Sequence, residues 1–275
     1  MNKILLLIFL SFVVLGCSKA KEDEPEVIAN KSFKLNIKVD DNAGSFTAIQ
    51  NVNLGKNVLA TGNTLASNVT NIYYRIYNAE GKLLSSVKQT STTADFGTVS
   101  QELPVGEYKV FIAASKGEIL LIDNNDLSKD RFGFPNGWED TFTSLTTISI
   151  KNADVSQTIK LERALGMLSL TITDAIPFNI ARISISMQPE NIYKYIGGGQ
   201  EIIPTGMSYN TNVSYSDIGV RNKNFSTLIG NTGAAININV KAYNSVNVVI
   251  VEKNIPNITF SKNKKTEISL QLFTP

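Results

Sequence analysis

The sequence predicts an all-β protein of two tandem β-sandwich domains, and three observations predict it. Apolar and polar residues alternate with a period of two in segment after segment, the pattern of strands with one face buried and one wet. The segments are short and separated by turns rich in Gly, Pro, Asn and Asp, as in a sandwich or barrel. No stretch holds helical periodicity over three turns.

In chain order, Phe33, Leu35, Ile37 and Val39 alternate with Lys34, Asn36 and Lys38, a half-buried strand. Residues 71–78 (NIYYRIYN) form a second strand. They end in Ala79-Glu80-Gly81, a hairpin turn that returns the chain along 83–90. Residues 99–103 lead through Pro104-Val105-Gly106 into a strand over 108–114. Gly106 is expected at positive φ, with Pro104 fixing the approach. Tyr108 is expected to bury its ring and bond its hydroxyl to backbone, as at a sandwich corner. Strands at 142–150 and 156–161 complete this set.

A second set begins near Arg163. Residues 167–173 and 180–187 flank Asp174-Ala175-Ile176-Pro177, and strands follow at 236–243, 246–252 and 265–273. Between Ile192 and Gly233 the alternation weakens, so loops with one or two short strands are expected there. Residues 31–163 and 164–275 are the two expected domains, each long enough for a sandwich core.

Residues 1–16 place Lys3 before an apolar run from Ile4 to Gly16, a signal peptide too short to span a bilayer. The junction Val14-Leu15-Gly16-Cys17 resembles a bacterial lipoprotein lipobox, with Leu15 bulkier than the usual residue there. That resemblance implies that Cys17 is acylated, begins the mature chain and holds it in the outer membrane. Acyl burial, worth about 0.8 kcal/mol per CH₂, makes such an anchor firm. Residues 17–30 are then the lipidated cysteine and a tether whose charged run 18–26 cannot bury enough surface to fold. The run also resembles the lysine-plus-acidic segment of surface-exported Bacteroidetes lipoproteins, which implies an outward-facing protein. A plain tether is the alternative.

Composition excludes much chemistry. Of 275 residues none is histidine, and Cys17 is the sole cysteine. Ser-His-Asp and Cys-His machinery, histidine-ligated metals and internal disulfides are therefore out. The net charge of +2 is scattered, with no footprint for nucleic acid. Glu139 and Asp140 are adjacent and would point to opposite faces of a strand, which does not make a glycosidase pair. Asp123, Asp126 and Asp130 share an acidic loop. Counted from Asp123 as an EF-hand, position 5 is Leu127 and position 6 is Ser128, so the calcium pattern fails. The expectation is no enzyme, no metal and no cofactor. Arg131 to Trp138 (RFGFPNGW) reads as a long loop bearing the only tryptophan. Phe132, Phe134 and Trp138 either contact a glycan or protein partner or cap one end of the first sandwich.

Several segments together resemble the fimbrillin-A-associated anchor proteins of Bacteroidetes. They are IYYRIYNAEGK at 72–82, Phe96-Gly97, LPVGEYKV at 103–110, Glu162-Arg163, TDAIP at 173–177, and the end from Asn263 through Phe273. The resemblance implies two tandem transthyretin-like sandwiches and a non-catalytic pilus anchor or assembly component that engages pilin subunits by β-strand pairing. A surface lipoprotein that binds a glycan or host ligand without building a fibre is the alternative. In the resembling pilins an arginine-specific protease cuts after an early strand and releases it. Here the first arginine of the chain is Arg75, inside the strand expected over 71–78. The early strand and its lipid are therefore expected to stay attached.

Overall fold

A computed structural model describes residues 31–40, 42–43, 48–51, 63–64, 69–190, 192–198 and 205–274. The signal peptide, Cys17 and the tether lie outside the described residues. In chain order the strands are β1 (Ser32–Val39), β2 (Asn42–Ala43), β3 (Ala48–Asn51), β4 (Asn63–Thr64), β5 (Asn71–Tyr77), β6 (Leu83–Thr90) and β7 (Thr98–Pro104). Next come β8 (Gly106–Ser115), β9 (Leu120–Ile122), β10 (Arg131–Gly133), β11 (Thr141–Ile150), β12 (Val155–Ile159), β13 (Glu162–Arg163) and β14 (Gly166–Ile172). The last are β15 (Arg182–Glu190), β16 (Tyr193–Tyr195), β17 (Thr205–Asn212), β18 (Lys223–Ile229), β19 (Ala235–Tyr243), β20 (Val249–Thr259) and β21 (Lys264–Leu270). The fold is all-β. A single 3₁₀ turn at Tyr215–Asp217 interrupts the strands among the described residues.

In the first half a five-stranded sheet, β13-β11-β8-β5-β6, packs on a three-stranded sheet, β12-β1-β7. Alternation decides which side chains meet. Leu35, Ile37 and Val39 of β1 enter one core with Ile72, Tyr74 and Ile76 of β5 and Val110 and Ile112 of β8. Full burial of each such aliphatic side chain contributes roughly 1.5–3 kcal/mol. β1 sits in the middle of its sheet, antiparallel to β7 and parallel to β12.

β5 is buried on both faces, which explains its near-continuous apolar run. Tyr73 and Tyr77, with Phe111 and Ala113 of β8, form the far face and meet a third core. The sheet β16-β10-β9 brings Phe132 and Ile196 to that core. β10 pairs with β16 from Arg131↔Tyr195 to Gly133↔Tyr193, so a strand from before residue 163 is hydrogen-bonded to one from after it.

In the second half β18-β14-β21 faces β17-β15-β19-β20, and β3, from residues 48–51 of the first half, adds to the edge of the former sheet across the expected boundary at 163. Leu168, Leu170 and Ile172 of β14 pack with Ile183, Ile185 and Met187 of β15 and Ile236, Ile238 and Val240 of β19. β21 lies between β14 and β3 and is parallel to both.

Three expectations need correction. The stretch between Ile192 and Gly233 holds three strands, two of them long. β17 and β18 are sheet edges rich in Ser, Thr and Asn, so they carry little of the alternating apolar signal. The strand expected from residue 246 begins at Val249, because Asn244 to Asn247 form the hairpin turn, and it runs on to Thr259. Gly106 is not at positive φ. It opens β8, where a Cβ would come within 3.4 Å of the Tyr108 hydroxyl, so the glycine leaves room for that ring. Tyr108 itself donates to the carbonyl of Pro104 at 2.7 Å, as expected of a sandwich corner.

Candidate functional site

The aromatic segment is not an exposed platform. Phe132, Phe134 and Trp138 are 3%, 3% and 6% exposed. Phe132 and Phe134 meet the Trp138 ring edge-on, at 6.2 and 6.1 Å between centroids. Trp138 Nε1 donates to Glu190 Oε1 at 3.0 Å, and the same oxygen accepts the backbone N–H of Gly230 at 2.6 Å. A Cβ at residue 230 would lie 2.2 Å from the indole nitrogen, so glycine is required there. Burying a tryptophan demands a partner for its N–H, and a carboxylate from β15 supplies it. Burial raises the Glu190 pKa, against the hydrogen bonds from Gly230, Asn231 and Trp138 that lower it. These rings fill the seam beside the first sandwich. They offer no free stacking face.

Arg75 is 1% exposed and points to the far face of β5. Its guanidinium lies 2.7 Å from Asp123 and 3.0 Å from Asp130. Asp130 also accepts from the Tyr77 hydroxyl at 2.8 Å and the backbone N–H of Asn124 at 2.7 Å. Of the acidic residues in the 123–130 loop, Asp123 and Asp130 are thus engaged by Arg75, while Asp126 accepts from Ser128 and pairs with Lys129 at 3.3 Å. Similarly, Asp140 holds Arg163 through two contacts, at 2.6 and 2.9 Å.

The C-terminal strand is paired within its own sheet and then clasped. The Asp174 carboxylate accepts the backbone N–H groups of Leu272, Phe273 and Thr274 at 3.0, 2.5 and 2.8 Å. Burial pushes its pKa up, but these three donors outweigh that and hold it below the ordinary carboxylate value. In contrast, β20 is an eleven-residue edge strand with Val249 and Ile250 exposed. Its outer backbone can take a further strand.

A pocket of about 410 Å³ opens where β11, β13 and β16 meet the turn before β21. Lys160, Arg163, Lys194 and Lys262 line it, with Glu162 on the same wall. Lys194 Nζ donates to the carbonyls of Ala164 and Gly230 at 3.2 and 2.6 Å and to Thr232 Oγ1 at 3.3 Å. Burial pushes its pKa down to about 8, and the Lys262 charge adds to the shift while Glu190 opposes it. Sequence reasoning missed this site because its residues come from five separate elements. Among the described residues no group of His, Cys, Asp and Glu could hold a metal, and no helix is long and apolar enough to cross a membrane.

No family model matches the chain, and no curated protein does. Solved structures do. A Bacteroides thetaiotaomicron protein, provisionally described as polysaccharide-binding, superposes with a TM-score of 0.60 at 10% identity, over 86% of this chain and 90% of its own. A Bacteroides ovatus protein, provisionally described as an adhesin, gives 0.56 at 12% identity, over 96% and 100%. The fimbrial anchor protein Mfa2 of Porphyromonas gingivalis is more distant, at 0.48 and 12% identity, over 81% and 82%. Identity this low assigns fold alone. The chain shares the β-rich architecture of the first two.

Proposed function

We propose that this protein is a non-catalytic surface adhesion or fimbrial lipoprotein. In this reading it is held in the outer membrane by acylated Cys17, faces the cell exterior, and serves as a pilus anchor or assembly component. It engages pilin subunits by strand pairing, for which the eleven-residue β20 edge offers backbone. Residues 31–163 and 164–275 make up its two sandwich units, with β3 (Ala48–Asn51) of the first stretch lent to a sheet of the second.

One observation carries the anchor role. Arg75, the first arginine in the chain, is buried in β5 and ion-paired to Asp123 and Asp130, behind a central β1 that is hydrogen-bonded on both sides. Proteolysis needs a locally unfolded site, and this one is among the best packed in the molecule. An uncut chain keeps its first strand and its lipid together. Intact mass and N-terminal sequencing of surface-purified protein should therefore give an acylated chain beginning at Cys17, with pilin subunits co-purifying. A mature form beginning well beyond Cys17 would sink the anchor reading. Cys17→Ser should abolish fatty-acid labelling and membrane attachment together.

The pocket favours a second reading, a surface lipoprotein that binds a glycan without building a fibre. The fold match to a protein provisionally described as polysaccharide-binding supports it. Absence of pilins from the purified material, with signal on a glycan array, would select it.

A further inference from the structure

We propose that the pocket bordered by Lys160 and Lys262 binds a carboxylate-bearing sugar, a uronate unit of an acidic polysaccharide. This deepens the glycan reading above and does not require the anchor role.

Charge supports the assignment. Arg163 is already spent on Asp140 and on Asn263 Oδ1, the latter at 2.8 Å. Lys194 is spent on three neutral oxygens, and the charge it retains is only partly offset by Glu190. Lys160 and Lys262 are exposed and, among the described residues, neither is ion-paired, so they face Glu162 as the single carboxylate lining the pocket. The cations also act on one another, since Lys262 depresses Lys194. A bound anion would relieve that repulsion. An ammonium is a point charge that can meet a carboxylate from several directions, and the one guanidinium fork in the pocket is occupied.

Size and lining select a ring. A volume of about 410 Å³ lies within the range of small-molecule sites. Leu145, 43% exposed on β11, gives an apolar surface for a sugar face, bordered by the half-buried Tyr195 of β16, whose ring also lies 5.4 Å from the Arg131 guanidinium. Thr143, on the same face of β11 as Leu145, supplies a hydroxyl suited to sugar hydroxyls. A bare inorganic anion would use the lysines and leave this surface unfilled.

Calorimetry on the detergent-solubilised full chain tests it, with hyaluronan tetrasaccharide as the uronate probe. Chitotetraose is the neutral probe, a uronate-free sulfated galactan tetrasaccharide the sulfate probe, and sodium phosphate the simple anion. Hyaluronan tetrasaccharide should bind and chitotetraose should not, and the exposed pair K160A/K262A should weaken binding about tenfold or more while circular dichroism stays unchanged. No hyaluronan binding, or binding untouched by K160A/K262A, would overturn the site. Tighter binding of the sulfated probe, or phosphate binding as tight as the sugar, would overturn the uronate assignment. A neutral glycan bound equally by wild type and K160A/K262A would leave the glycan reading standing and remove this site from it.

Discussion

The first and last strands of the folded region, β1 and β21, are both central, yet they are secured by different physics. β1 is held by apolar side chains fully removed from water and by backbone pairing to β7 and β12. Its exit is tied by the N–H of Val39 to Gly97 O at 2.8 Å and the N–H of Asp40 to Ile159 O at 2.9 Å. β21 also has a partner on each side, but the chain beyond it is gripped by one buried carboxylate, Asp174. The carboxylate contact on β1 lies at its exposed start, where Asp154 accepts the Lys34 N–H at 2.8 Å, whereas the C-terminal lock rests on a buried carboxylate and must respond to acid.

The largest effect should come from opening the N-terminal lock. Ile37→Ala removes a fully buried side chain in the first core and should cost about 2–5 kcal/mol, read as a lower urea midpoint. If the cost falls below about 1 kcal/mol, β1 does not fasten the first sandwich.

Next comes the clasp. Asp174→Ala leaves three backbone donors without their carboxylate and should cost about 1–3 kcal/mol. Because the folded pKa of Asp174 lies below its unfolded value, its contribution is full above the ordinary carboxylate pKa and is lost as pH falls through the folded value. The wild type should therefore lose more stability on acidification below about pH 4 than Asp174→Asn does. Equal acid sensitivity of the two proteins would remove the contrast with β1.

The smallest effect should be alkaline. Lys194 has a folded pKa of about 8, below its unfolded value of 10.5. The unfolded chain therefore binds more protons between these values, and stability from this group should rise with pH across that window. Lys194→Met should flatten the rise in thermal midpoints measured from pH 8 to 10. A wild-type midpoint flat over this range, with Lys194→Met following the same course, would contradict the buried charge.

Much of the strand order was legible locally. The alternation around Leu35 and Ile37, the hairpin at Ala79-Glu80-Gly81 and the Tyr108 corner all depend on neighbours a few residues away. β10 was not legible, since three residues between turns carry no periodicity. β17 and β18 were obscured by being edges with a wet face. The aromatic segment left two readings open, because the same rings could be buried or displayed until the Glu190 carboxylate, 52 residues from Trp138, was in place.

By itself the sequence determined the all-β class, the lack of histidine and thiol chemistry in the folded region, and the faces of its clearest strands. Those properties follow from side-chain chemistry and from a period of two, and both are local. Only the tertiary structure decided that Arg75 meets Asp123 and Asp130, that Asp174 closes on residues about 100 positions away, and that lysines from three elements border one pocket. Such pairings depend on sheet order and on which faces are covered, and no local pattern encodes which distant carboxylate satisfies a buried donor or cation.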